Sequence, residues 1–550
     1  MKKKLLELII YILKLIRLYQ FVPILKRYEK KYVFPLSLKK WPKRIPAEML
    51  QNGLQYDSTG FYNNDFCISK MGKVRSFLFG KEILYGTLLN GQTEYDLSYM
   101  MMDHGKVTLP LCLPGKKYRD LKIVADSKEV KLEILECSKW KYFTFPENCK
   151  SVKISSEESN IILGEPFLHE QVSRKNDRPK CVVLLIVDSL SQFVFERYQG
   201  TSLMPNTLRF FEGGRLFSNN HAQGEHSVTN NANILTGRYT SNHGLHQPGD
   251  IVNITKPDDI TFCKEDDHES PIKLKKEMPL LSEVFRNNGY LTFGANGNYK
   301  VHPLYQYARG FDRFLFYANE FQDREMVNDA VEQIKAFPER NHFLYLNLMA
   351  LHSTAVPAWS FSSEVNCNIG TRAKKVSGGK IIRPFDHAMA TRYSIMVKEI
   401  DNHLKQLYDL LDSFYEKEEI VFCLTSDHGV TYLAKEEYLL AEALTNTPLF
   451  IRSPGIKSGD DHSLVQSVDI FPNLLYLSNI DMPKSKTDGK LWSVLGENER
   501  DYVLTESIYK SKYELKIRSK TFIYGLKCSI ENDRINLKGV TKKFWEISKE

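Results

Sequence analysis

The 550-residue sequence predicts an α/β protein: a mostly parallel central sheet flanked by helices, preceded by a smaller β-rich domain. Three observations carry that prediction. Residues 181–187, CVVLLIV, are continuously apolar and rich in Val and Ile, as a strand buried on both faces must be. Helical and strand patterns then alternate through MPNTLRFFEGG, PLLSEVFRNNGY, HFLYLNLMA, TRYSIMVKEIDNHLKQLYDLL, EIVFCLTSD and FPNLLYL, the order that builds a parallel sheet. Residues 35–170, in contrast, hold only short apolar runs between turn residues, several alternating with polar side chains as half-exposed strands do.

Length and composition set the frame. A chain this long implies two domains, and 42% hydrophobic with 12% aromatic residues is enough for a large core. The stretch QVSRKNDRPK (171–180) is polar and reads as a linker between residues 35–170 and the α/β domain at 181–550. The net charge of +8 is modest, with basic residues concentrated at the N-terminus in Lys2, Lys3, Lys4, Lys14, Arg17, Lys26, Arg27, Lys30 and Lys31. That favours an anionic surface or a phosphate-rich ligand, and no motif for nucleic acid accompanies it. Nine scattered cysteines without a CxxC pair fit a reducing compartment.

Residues 1–34 form a segment of their own. Lys14 and Arg17 interrupt the apolar run, and each would cost about 2.5–3.5 kcal/mol at a bilayer centre. At 100° per residue Lys3, Glu7, Lys14 and Arg17 share one face, opposite Leu6, Ile9, Leu13 and Ile16. An amphipathic helix lying on a membrane surface through residues 1–31 is expected, ended by Pro23.

Chemistry concentrates at three places. Asp188 ends the apolar strand, where ligands of open α/β sheets bind; it is either a metal ligand or a helix cap. Ser227 starts a stretch able to turn helical, a position suited to an anionic group, though Ser227 or Thr229 would also serve as a plain N-cap. EIVFCLTSDHGV delivers Asp427 and His428 side by side at a strand end, oxygen and nitrogen ligands for one divalent ion.

Together these segments resemble the sulfatase/alkaline-phosphatase superfamily over roughly 350 residues. MPNTLRFFEGGRLFSNNHA, NILTGRYTSNHG, ARGFDRF, FLYLNLMALHS, LTSDHG, NTPLFIRSPG and SVDIFPNLLYL all follow in family order. The resemblance implies an alkaline-phosphatase-like fold and an enzyme. The departures refine it. Ser227 takes the position of the sulfatase nucleophile, but Val228-Thr229-Asn230-Asn231 replaces the formylglycine maturation signal. Gly294-Ala295-Asn296-Gly297-Asn298 replaces the GKWH segment, and Asp188-Ser189 stands where sulfatases have paired aspartates.

What remains resembles the one-metal branch of lipoteichoic acid synthases, phosphoglycerol transferases and phosphoethanolamine transferases. That resemblance implies one divalent ion, zinc or manganese ahead of magnesium or calcium, held by Asp188, Ser227, Asp427 and His428. Ser227 is the implied nucleophile, with Thr229 the alternative. His352 would bind a phosphate oxygen or protonate the leaving group, and Asn230 and Asn231 would hydrogen-bond substrate oxygens. The expected partners are a phosphoester donor and a glycan- or lipid-linked acceptor. The expected location is cytoplasmic, peripheral on the inner face of the membrane. Asp401, Asp469 and His243 read as structural, His462 as solvated, and Arg238 as a partner for a core carboxylate.

Overall fold

A computed structural model describes strand segments between residues 54 and 169 and most of 178–546; the larger stretches outside the description are 198–202, 247–273, 317–322, 353–373, 376–380 and 434–439. The expected amphipathic helix at 1–34, the linker residues 171–177 and most of the polar excursion 249–278 lie outside the described residues.

The catalytic part is built, in chain order, from β1 (Cys181–Val187), α1 (Pro205–Phe210), β2 (Arg215–His221), α2 (Ser227–Thr236), α3 (Leu281–Asn287) and β3 (Leu291–Asn296). It continues with β4 (Arg313–Phe316), α4 (Asp323–Ala336), β5 (His342–Leu348), α5 (His387–Phe414), β6 (Ile420–Thr425), β7 (Asn446–Arg452) and α6 (Ile470–Leu477). Strands β6, β1, β5, β3 and β4 lie side by side and parallel. β7 and β2 extend the sheet antiparallel on the β6 side.

Every residue of β1 is buried because helices cover both sheet faces. Cys181, Val183, Leu185 and Val187 point to one side, into a core shared with Val327 and Val331 of α4 and Val397, Ile400 and Leu404 of α5. Val182, Leu184 and Ile186 point to the other, against Val228 and Ala232 of α2, Phe285 of α3 and Leu474 of α6. Each buried aliphatic side chain of this kind contributes about 1.5–3 kcal/mol.

Two features extend beyond the sequence reading. Strands Ile68–Lys70 and Ile83–Tyr85, inside the stretch assigned to the β-rich domain, continue the central sheet past β4. The remaining described strands there form antiparallel sheets, including four strands around Val152–Ser156 and five around Lys106–Cys112. The C-terminal residues, within the stretch read as the catalytic domain, make a separate antiparallel sheet of β8 (Tyr502–Tyr509), β9 (Lys512–Ser519), β10 (Phe522–Glu531) and β11 (Arg534–Glu546). β8 joins it to the body: the Glu506 amide donates to the Gln223 carbonyl and the Thr505 hydroxyl to that of Ala222. Among the described residues no helix is long and apolar enough to cross a membrane.

Candidate active site

Neighbouring parallel strands bring the two aspartates together. β1 and β6 pair with Ile186 opposite Thr425, so the same register sets Asp188 beside Asp427 just past the strand ends. Both carboxylates are fully buried. Ligand atoms of Asp188, Asp427 and His428 all lie within 4.8 Å of one another. The chain turns sharply after His428 at Gly429, where any Cβ would run into the Ala443 carbonyl.

The first turn of α2 brings in the hydroxyl. Ser227 Oγ donates to Asp188 Oδ2 at 3.0 Å and lies 3.2 Å from His428 Nε2. Its sequence, SVTNNANILT, is poor in strong helix formers. Its polar side chains find partners instead. Asn230 donates to the Gly224 carbonyl, Asn231 to that of Ser227, and Asn233 to that of Arg238 while also meeting His243 Nε2. Tyr345 and Asn347 of β5 in turn donate to Asn231 Oδ1. Gly237, with φ of 64°, closes the helix in the left-handed conformation.

These contacts place the sequence candidates. Ser227 is at the centre, whereas the Thr229 hydroxyl donates to the His226 carbonyl in the manner of a helix start. The Asn230 and Asn231 amides each spend an N–H on backbone carbonyls, anchoring α2. His352 follows β5 in a turn pinned by Asp323, whose carboxylate accepts the Met349 and Ala350 amides. Asn298 was not singled out by sequence, yet its amide donates to Asp188 Oδ2 at 2.6 Å. The signal was the replaced GKWH segment itself, which ends β3 at the same edge of the sheet.

Electrostatics divides the two carboxyls. Burial and the Asp188 charge push Asp427 up to about 6. Burial opposes charge on Asp188 too, but His352, His428 and the Ser189 and Ser227 hydroxyls outweigh it and hold that carboxyl below its usual value.

The residues present fit a divalent cation. Asp427 Oδ2 is buried with no hydrogen-bond partner, an acceptor facing a like-charged neighbour. His428 Nδ1 lies 2.8 Å from the Gly429 carbonyl, which fixes its proton there and leaves the Nε2 lone pair facing the centre. A histidine metal ligand is ordinarily oriented by such a second bond. Two carboxylates, an imidazole and a hydroxyl are the donor types of a zinc or manganese site.

Residues 180–480 match the model of the sulfatase family, more than half of the chain. The chain belongs to the sulfatase family. Members of the sulfatase superfamily are enzymes that use a divalent metal ion. Arylsulfatase K of Bos taurus is 28% identical over 156 residues, covering 26% of this chain and 27% of its own length. The match thus spans about a quarter of that curated relative. Among solved structures, yidJ of Bacteroides fragilis, itself assigned to the sulfatases, overlays with a TM-score of 0.52 at 14% identity. That overlay covers 68% of this chain and 90% of yidJ, and shows the fold. A phosphonate monoester hydrolase of Silicibacter pomeroyi gives a TM-score of 0.48 at 15% identity, covering 68% and 89%.

The other residues read from sequence have plain surroundings. Asp401 on α5 accepts the Asn206 and Thr207 amides and so caps α1 from outside. Asp469 is bridged by Arg500. His243 is buried against Asn233, and the His462 ring contacts the Ser218 hydroxyl.

Proposed function

We propose that this enzyme is a metal-dependent phosphotransferase or phosphodiesterase that works through a covalent phosphoserine on Ser227. The placement of the Ser227 hydroxyl between Asp188 and His428, at the start of a buried helix, is the observation that carries this reading. Loss of the formylglycine signal around Ser227 favours phosphoryl over sulfuryl transfer. Asp188, Asp427 and His428 would hold the ion. A divalent ion bound there supplies positive charge that lowers the hydroxyl's pKa and draws charge from the phosphoryl group.

The protein groups do the rest. Asp188, whose Oδ2 accepts the Ser227 hydrogen bond, is positioned to take the Ser227 proton, while His428 Nε2 would be committed to the ion. Its oxygen attacks phosphorus in line, forming a P–O bond as the donor's ester P–O bond breaks. The first-turn amides of α2 face the equatorial oxygens, whose charge they stabilise. His352 binds a phosphate oxygen or protonates the departing alkoxide. An acceptor hydroxyl or water then displaces phosphorus from Ser227, which recovers its proton. Asn230 and Asn231 act from the α2 side, binding substrate oxygens with the remaining amide groups. The donor is a phosphoester and the acceptor glycan- or lipid-linked, met at the inner membrane face through residues 1–31. The arylsulfatase K match favours one second reading, a hydrolase that uses Ser227 directly on a sulfate or phosphate monoester.

Hydrolysis of bis-p-nitrophenyl phosphate, p-nitrophenyl phosphate and p-nitrophenyl sulfate by the metal-loaded protein separates these. The diester is expected to turn over fastest, with Ser227→Ala losing at least a thousandfold. A sulfate ester as the best substrate, or full activity in Ser227→Ala, would overturn the proposal.

A further inference from the structure

Ser189 immediately follows Asp188 and has φ of 68°, the left-handed region that a non-glycine residue seldom occupies. It is buried, and no glycine has taken its place. From this conformation it reaches both carboxylates. Its Oγ donates to Asp188 Oδ1 at 2.6 Å, and its backbone N–H donates to Asp427 Oδ1 at 3.3 Å. The amide lies in the Asp188–Ser189 peptide plane, and the left-handed φ sets where the side-chain hydroxyl and the following loop go.

The surroundings hold the conformation in place. Tyr393 of α5 donates its hydroxyl to the Ser189 carbonyl at 2.7 Å and accepts the Ser191 amide at 2.9 Å. The Leu190 amide donates to Ser426 Oγ, which itself donates to the His428 carbonyl. The loop after β1 is thereby tied to the loop after β6, and both loops carry presumed ligands. Unfavourable backbone conformations that persist under such over-determination cluster where function needs a fixed geometry.

We infer that Ser189 is a positioning residue for the metal centre: its left-handed backbone and hydroxyl clamp Asp188 and Asp427 so that their outer oxygens, Asp188 Oδ2 and Asp427 Oδ2, converge on one ion. This rests on the metal-dependent reading above. The clamp uses Asp188 Oδ1 and Asp427 Oδ1; of the outer oxygens, Asp427 Oδ2 has no hydrogen-bond partner and Asp188 Oδ2 takes the Ser227 and Asn298 donors.

The test measures zinc and manganese affinity of the full-length apo-protein by competition with a chromophoric chelator, beside its thermal melting without metal. Ser189→Ala keeps the strain and loses the hydroxyl; Ser189→Gly loses both. Affinity is expected to fall about 10- to 100-fold in each. The metal-free glycine variant should also melt higher than the metal-free alanine variant, because glycine relieves the backbone. Ser191→Ala, which loses a bond to the Ala443 carbonyl two residues on, serves as the control and should melt lower with metal affinity unchanged within about twofold. Wild-type affinity in both Ser189 variants would overturn the clamp while leaving the metal-dependent reading intact. A wild-type protein that binds neither ion would overturn both.

Discussion

Acid should weaken this protein through a buried histidine outside the proposed catalytic cluster. His221, at the end of β2, is fully buried, and neither ring nitrogen has a protein partner. Burial disfavours its protonated form. The Glu442 carboxylate pulls the other way but is outweighed once Arg518 and Lys516 add their charges, and the imidazole is pushed down to about 3. The folded pKa therefore lies below the unfolded value near 6.5. Between those two values the unfolded chain takes up a proton that the folded chain refuses. Stability is then complete above about pH 6.5 and is lost progressively as the pH falls towards 3, at about 1.4 kcal/mol per pH unit. His221→Leu removes this effect. Whatever the substitution costs in packing at pH 7, the gap between wild type and variant should shift in the variant's favour by about 2 kcal/mol from pH 6.5 to 4.5. Other titrating groups, including His243, also held near 3 by burial, are common to both proteins and cancel. Urea denaturation followed by intrinsic fluorescence at several pH values gives the gap directly. A gap that does not change with pH would refute the reasoning.

Two further outcomes follow from the same structure. Asp401→Ala removes an acceptor of four hydrogen bonds, two from backbone amides of α1 and two from the Asn206 and Thr207 side chains. It should cost about 3–5 kcal/mol, read as a fall in urea midpoint at unchanged slope, since buried donors are left bare. Adding zinc or manganese at about a hundred times its dissociation constant should stabilise the apo-protein by about 2.7 kcal/mol, measured as a rise in melting temperature, and Asp427→Asn should suppress that rise.

Much of the fold was legible because burial on both faces leaves a plain mark. CVVLLIV and IVFCL are unbroken apolar runs; Asp188 directly follows the first, and Asp427 follows the second after Thr425 and Ser426. That the two aspartates stand level depends on the β1–β6 register, which no local pattern encodes. The C-terminal sheet escaped notice for a different reason. Its buried positions include Thr505, Ser507 and Lys516, while Leu515 and Ile517 stay partly exposed, so alternation points the wrong way. Lys516 is tolerated there because Glu442 pairs with it, a long-range compensation invisible in sequence. Asn298 and Ser189 were visible only as departures from a family pattern. Their contacts to Asp188 arise from chain turns after β3 and β1, set by tertiary hydrogen bonds and not by propensity.

The central claim is that Asp188, Asp427 and His428 hold one divalent ion beside Ser227. Metal content per chain after reconstitution and gel filtration, by elemental mass spectrometry, tests it most directly. One zinc or manganese ion per wild-type chain and close to none in an Asp188→Asn, Asp427→Asn double variant is the predicted result. Equal metal content in the two proteins, or none in the wild type, would contradict it.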